Sequence, residues 1–141
     1  SENPKINGVK EASGNFSLLA HTRFLCGDDF YIWSGNDDQV VPMMALGAKG
    51  VISVASNIVP EVMAEMTHLC LDNDFAAASQ LQIRYMDLID ALFTEVNPIP
   101  IKAAMNLLGM DAGSLRLPLC DISDKNLDTL RRAMERAGLL K

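Results

Sequence analysis

Lys10 is the residue best suited to covalent chemistry, because it ends a short apolar run that begins at Ile6. The run predicts a strand over residues 6–10 that is apolar enough to be buried, with the lysine at its C-terminal tip. A buried ammonium loses solvation, so its pKa falls and the neutral amine can form a Schiff base with a carbonyl substrate. The alternative is a structural lysine that leaves the strand end and pairs with Glu11 or a nearby aspartate.

Metal and disulfide chemistry are not predicted. His21 and His68 lie in helical patterns, and neither has further ligands at a suitable spacing. The cysteines Cys26, Cys70 and Cys120 are odd in number and far apart, which is not typical of a disulfide framework or a CxxC metal site. We therefore expect reduced thiols, no metal and no cofactor.

Composition and charge limit the classes of partner. The 141 residues are 49% hydrophobic and 21% charged, which is enough for one domain with its own core. A formal net charge of -6 at pH 7 argues against a nucleic-acid partner, because phosphate binding needs a basic surface. No apolar run approaches the roughly 20 residues that cross a bilayer, so we expect no membrane partner and a cytoplasmic location.

The first part of the chain alternates short apolar runs with helical patterns, which is typical of βαβ units on a parallel sheet. Residues 35–38 are expected to form a loop that becomes helical only from Gln39. The predicted elements are strands at 6–10, 30–34 and 50–54, a helix at 16–25 capped by Asn15 or Ser17, and a short helix at 40–46.

Beyond Asn57 the apolar spacing becomes helical, apart from an extended link expected at residues 115–118. Apolar stripes predict helices near 59–70, 75–96 and 101–108, and a final helix that carries Leu127, Leu130 and Met134. The prolines of Asn97-Pro98-Ile99-Pro100 are expected to end the longest of these helices. On it Leu81, Leu88 and Leu92 should be buried, and we expect this part of the chain to serve assembly more than chemistry.

Five motifs occur in order along the chain. They are GVKEASGN at 8–15, SGND at 34–37, GVISVASN at 50–57, NPIPIK at 97–102 and LRLPL at 115–119. Together they resemble the C-terminal half of dihydrodipicolinate synthases, which belong to the pyruvate-dependent class I aldolase family that also contains N-acetylneuraminate lyase. The KEASGN and NPIP forms are more similar to the synthase branch than to the lyase branch.

This resemblance implies an α/β fold: the last three strand-helix units of a (β/α)8 barrel, followed by a C-terminal helical domain. Residues 1–57 would be the barrel portion, and residues 58–141 the last barrel helix and the helical domain. By the family pattern Lys10 forms the Schiff base with pyruvate, at the strand end where barrel enzymes place their chemistry. Gly35 and Ile52 fall on positions that line the same pocket through backbone groups. Asn36 replaces the aspartate of the commoner SGDD form.

A closed barrel of this kind needs eight strands and about 250 residues, whereas the sequence predicts three strands. We therefore expect a fragment whose partner is the missing N-terminal half, which in the family carries the proton-transferring tyrosine. Tyr31 and Tyr85 match no such motif and are interpreted as packing residues.

The expected function is the condensation of pyruvate with aspartate semialdehyde in the diaminopimelate route to lysine, by a homotetramer as the family implies. The chain alone is expected to be inactive. Two alternatives stay open: a sister aldolase that acts on a sugar or another aldehyde, and a non-catalytic remnant that serves assembly.

Overall fold

Two short parallel strands form the sheet of this structure, which is a computed structural model that describes residues 3–141. Strand β1 is Gly8–Glu11 and strand β2 is Tyr31–Ser34, and Lys10 stands opposite Trp33 in their register. Helix α1, Phe16–Cys26, connects them. This arrangement confirms the prediction of a βαβ unit with parallel strands.

The prediction of a third strand over residues 50–54 is wrong in extent. Only Val51 pairs with Ser34, in a single parallel bridge, although the order of the three segments is the expected one. At one end of the segment Gly50 has a backbone φ of +153°, which residues with a side chain rarely adopt. At the other end Val54 has backbone angles of the α-helical region, φ -83° and ψ -46°. The extended backbone is therefore too short to form a regular strand.

The prediction that β1 is buried is also wrong. Gly8, Val9 and Glu11 are half-buried and Lys10 is exposed. Within residues 3–141 the strand pairs with β2 alone, so its other edge has no neighbour to cover it. An edge strand of this kind presents its unpaired backbone N–H and C=O groups to solvent.

Six α-helices are present in the described part of the chain. Their bounds are Phe16–Cys26 for α1, Val40–Ala45 for α2, Pro60–Leu71 for α3, Phe75–Ala91 for α4, Ile99–Leu107 for α5 and Asp124–Arg136 for α6. The side chain of Asn15 accepts a hydrogen bond from the Leu18 N–H at 3.0 Å, which confirms it as the cap of α1. Among the described residues, no helix is both long and apolar enough to span a membrane.

Several of the observed elements differ in their bounds from the predicted ones. Helix α4 ends at Ala91 rather than near Val96. Directly after Ala91, the N–H of Phe93 donates to the Asp90 carbonyl in a tighter turn. Helix α5 begins at Ile99, because Pro100 is tolerated in a first turn, where backbone N–H groups have no helical acceptor. A short 3-10 helix, Asp37–Gln39, occupies what was predicted to be an irregular loop.

The chain divides into two compact units. The first unit contains the residues up to Ser53 together with Glu61–Gln82, and its core includes Leu19, Ile32, Val40, Met43 and Met66. The second unit contains Val54–Pro60 and Ile83–Lys141. The predicted burial of Leu88 and Leu92 is confirmed, with exposed fractions of 2% and 0%. Leu130 and Met134 of the same unit are also buried. The predicted burial of Leu81 is not confirmed, because this residue of the first unit is only half-buried.

Candidate active site

Lys10 lies near the carboxyl end of β1, opposite Trp33 of β2. The preceding Gly8 allows the two strands to come together, since a Cβ on Gly8 would lie 2.5 Å from the Tyr31 carbonyl oxygen and 2.6 Å from the Trp33 ring. The sequence therefore places Gly8 where β1 and β2 come close together, and Lys10 near the end of β1 where its C-terminal loop begins. Lys10 is exposed in this chain.

Gly35 follows β2 and lies against the side chain of Lys10. Its N–H donates to the Glu11 carbonyl at 2.7 Å, which extends the ladder by one residue. A Cβ on Gly35 would lie 2.9 Å from Lys10 Cε and 2.7 Å from Ala12 Cβ. Glycine is therefore required here by close approach, and the aliphatic part of the lysine crosses directly over it.

Ile52 is joined to the same region through the backbone. Its N–H donates to the Ser34 carbonyl at 2.8 Å, while the Ser34 N–H donates to Gly50 at 2.9 Å. Ser34 immediately precedes Gly35, so the three predicted site residues stand at the carboxyl ends of three adjacent parallel segments. Ile52 is 49% exposed.

The turn after β2 is held by side-chain hydrogen bonds that the sequence motifs alone do not predict. Ser34 is fully buried, and its hydroxyl donates to the Asn36 carbonyl at 2.8 Å and accepts from the Asn36 N–H at 3.1 Å. The Asn36 amide donates to Gln39 Oε1 at 3.3 Å. Gln82 of α4 also reaches this turn, and no local motif could reveal a contact across more than 40 residues.

Polar groups elsewhere in the described residues could also bind ligands. Within residues 3–141, no cluster of three or more His, Cys, Asp or Glu side chains is placed to hold a metal ion. In the second unit a cavity of about 300 Å³ lies between α5, α6 and the segment that links them. Its lysine, Lys102, donates to the Ser114 carbonyl at 2.6 Å, and Asn106 accepts from the Ala112 N–H. Both side chains therefore fasten the link, which gives the NPIPIK motif a structural role.

Comparison with known proteins identifies the family. The model of the Dihydrodipicolinate synthetase family matches residues 1–137. The 4-hydroxy-tetrahydrodipicolinate synthase of Clostridium novyi is 53% identical over 130 residues, which are 92% of this chain and 44% of that enzyme. The Acetivibrio thermocellus enzyme of the same name is 44% identical over 140 residues, 99% of this chain and 47% of the enzyme.

Solved structures agree with the sequence relatives. Dihydrodipicolinate synthase from Cyanidioschyzon merolae, crystallised with lysine bound, superimposes with a TM-score of 0.93 at 43% identity, over 97% of this chain and 46% of that one. The Aquifex aeolicus enzyme gives 0.93 at 40% identity, over 95% and 46%. Both are (β/α)8-barrel enzymes. The chain spans less than half the length of each of these relatives, and it belongs to the dihydrodipicolinate synthetase family.

Proposed function

We propose that this chain is the C-terminal half of a pyruvate-dependent barrel enzyme in which Lys10 forms the imine with pyruvate. The complete enzyme would condense this imine with aspartate semialdehyde in the diaminopimelate route to lysine. The observation that carries the proposal is the contact between Lys10 and Gly35 at the carboxyl ends of adjacent parallel strands, in a chain of this family. Parallel-barrel enzymes place their reacting groups at this end of the strands.

The chemistry follows from the lysine and the backbone around it. The electron pair of a neutral Lys10 Nζ attacks the keto carbon of pyruvate, a C–N bond forms, and water leaves to give the imine. Gly35 leaves room for the lysine stem, and backbone groups of Gly35 and Ile52 would face the bound substrate. The protonated imine then withdraws electrons, so the pyruvate methyl group gives a proton to the proton-transferring group expected in the missing half and the enamine forms. The enamine carbon bonds to the aldehyde carbon, and the aldehyde oxygen takes up the proton. Cleavage of the imine by water or by a second amine then frees Lys10.

The exposed position of Lys10 supports the need for a second half. Imine chemistry needs a site from which water is excluded, and further strands would close the site around this lysine. The uncovered edge of β1 is the place where such strands would pair. We therefore propose the missing half of the barrel as the partner of this chain.

The order of elements supports placement in the C-terminal half. Strands alternate with helices only up to Val51, and helices follow to the end of α6. This is the order expected if residues 1–57 complete a barrel and residues 58–141 form its last helix and a helical domain. A cytoplasmic location and a tetramer are part of the proposal and rest on the family resemblance.

Imine trapping tests the role of Lys10. The chain is combined with the complementary half of the enzyme, treated with pyruvate and borohydride, and mapped by peptide mass spectrometry. Pyruvate should be fixed to Lys10, and Lys10→Arg should remove the label because a guanidinium stays protonated. Lys49→Arg, which changes an exposed lysine of the same unit, is the control and should keep it. A label on Lys49 or Lys102 would overturn the assignment.

Two further arms test the substrate and the placement. Turnover is measured with aspartate semialdehyde and with sugar aldehydes, and a preference for a sugar would favour the sister-aldolase alternative. In two separate mixtures, the chain is also combined with the segment that precedes the matched region in full-length relatives and with the segment that follows it. Activity only with the second segment would contradict placement in the C-terminal half, and no imine with either would favour an assembly remnant.

A further inference from the structure

Gln82, in helix α4, makes two hydrogen bonds to the segment that follows β2. Its Nε2 donates to the Asp38 carbonyl at 2.6 Å, and its Oε1 accepts from the Val41 N–H at 2.9 Å. These bonds bridge 44 and 41 residues of sequence. One amide side chain therefore holds a donor and an acceptor of the same turn at fixed positions.

Helix α2 depends on this contact for its start. The N–H groups of a first helical turn have no acceptor within the helix. Gln39, which precedes Val40 at the cap position, makes no side-chain cap hydrogen bond. Gln82 supplies the acceptor for Val41 instead, so the direction in which α2 leaves the turn is set by α4.

The turn held by Gln82 reaches the lysine through a few residues. Gln39 accepts from the Asn36 amide at 3.3 Å, and its Nε2 lies 3.3 Å from where a Cβ on Gly14 would be, in the loop after β1. Asn36 directly follows Gly35, whose missing Cβ is the space that Lys10 Cε occupies. The segment from 35 to 41 is therefore fixed at one end by β1 and at the other by Gln82.

We propose that Gln82 is a positioning residue for the reaction at Lys10. By fixing Asp38 and Val41 it keeps Gly35 against the lysine side chain, and this holds Nζ where it can attack the substrate carbonyl. Both side-chain hydrogen bonds of Gln82 go to the turn, so its effect on the lysine is transmitted through that turn. The inference rests on the proposed function of Lys10. A displacement of about 1 Å at a reacting group costs on the order of 10²-fold in rate, so a loosened turn has a measurable effect.

The test uses the complete enzyme with Gln82→Met, which keeps the length of the side chain and removes both hydrogen bonds. Gln80→Met, at an exposed glutamine on the same helix, is the matched control. Two quantities are measured: the rate of imine trapping at saturating pyruvate and the hydrogen exchange of the Val41 N–H. Gln82→Met should slow trapping by about 10-fold or more and speed exchange at Val41, while Gln80→Met should change neither.

The outcomes separate this inference from the proposed function. If the unaltered enzyme forms no imine at Lys10, the proposed function fails and the positioning role fails with it. If the unaltered enzyme forms the imine and Gln82→Met traps pyruvate equally fast, only the positioning role is overturned. Should Gln82→Met not fold, Gln82→Asn keeps the amide on a stem one methylene shorter. A trapping rate for Gln82→Asn equal to that of the unaltered enzyme, despite faster exchange at Val41, would also overturn the role.

Discussion

Lys10 and Gly35 are in direct contact: the lysine Cε fills the space that a side chain on Gly35 would need, 2.9 Å from the position of its Cβ. The contact joins the ends of β1 and β2, and the Gly35 N–H bond to Glu11 fixes it from the backbone. A Cβ on Gly35 would lie even closer to Ala12 Cβ, at 2.7 Å, so Lys10 and Ala12 together leave no room for a side chain at position 35. The position of the lysine stem is therefore coupled to the identity of residue 35.

Gly35→Ala should impair imine formation more than it impairs folding. The added methyl group would displace the flexible Lys10 side chain and press on Ala12, and overpacking of this kind costs about 1 to 3 kcal/mol. We expect trapping of pyruvate in the complete enzyme to slow by about 10-fold or more. The double variant Gly35→Ala with Ala12→Gly removes the closer contact and should recover part of the rate. Equal trapping by Gly35→Ala and the unaltered enzyme would show that the lysine does not depend on this contact.

Leu88→Ala should destabilise the second unit. Leu88 is 2% exposed, and truncating a buried leucine costs about 2 to 5 kcal/mol through lost burial and the cavity that remains. Ile83→Ala on the same helix is the control, because Ile83 is 72% exposed and its truncation should be nearly neutral. Urea unfolding of the reconstituted enzyme measures both. Equal free energies of unfolding for the two variants would mean that the packing of α4 differs from this description.

Several features of this fold follow from local sequence. Asn15 is a helix cap because its side chain can reach the Leu18 N–H. The apolar spacing along α4 and the turn after it places Leu88 and Leu92 inside. Such features depend on residues within one or two turns, so pattern alone can find them. The family motifs likewise led to Lys10, Gly35 and Ile52, whose roles stay predictions.

Other features depend on parts of the chain that are far apart or on strands outside it. The exposure of Lys10 depends on whether β1 has a second neighbour, and an apolar run does not carry that information. The stretch over residues 50–54 looks like a strand by composition, but Gly50 and Val54 leave Val51 with a single bridge. In the sequence Gln82 is one polar residue of a helix, and its hydrogen bond to the Asp38 carbonyl becomes evident only in the folded chain.

Glu95 should make the second unit sensitive to acid. The Ser123 hydroxyl donates to it at 2.7 Å, the Asn126 amide at 2.8 Å and the Ser123 N–H at 3.0 Å. In that order of importance these bonds lower the pKa of the Glu95 carboxyl below its ordinary value of 4.5. A carboxyl whose pKa is lowered by folding stabilises the fold fully above its unfolded pKa, and this contribution is lost as pH falls through the folded pKa.

Glu95→Gln is the test of that linkage. At pH 7 the variant should unfold at a lower temperature than the unaltered protein, because the amide is a weaker acceptor than the carboxylate. The difference between their midpoints should narrow as the pH falls below about 4.5, where the carboxyl takes up its proton. Glu135→Gln, at an exposed position in α6, is the control. A difference between Glu95→Gln and the unaltered protein that stays constant from pH 7 to pH 3 would contradict the role of the ionised carboxylate.

The isolated chain should be catalytically inactive and prone to associate. Lys10 is exposed, and β1 has an uncovered edge within the described residues. Phe24 and Leu25 of α1 are 84% and 76% exposed. An uncovered strand edge and exposed apolar side chains together favour pairing or aggregation. Without the proton-transferring group expected in the missing half, loss of general acid-base catalysis alone costs about 10² to 10⁴ in rate. Turnover of pyruvate with aspartate semialdehyde is assayed, and size is measured by sedimentation, before and after the complementary half is added. Activity and a discrete size should be recovered only on mixing, whereas appreciable turnover by the isolated chain would mean that the reacting groups lie elsewhere in it.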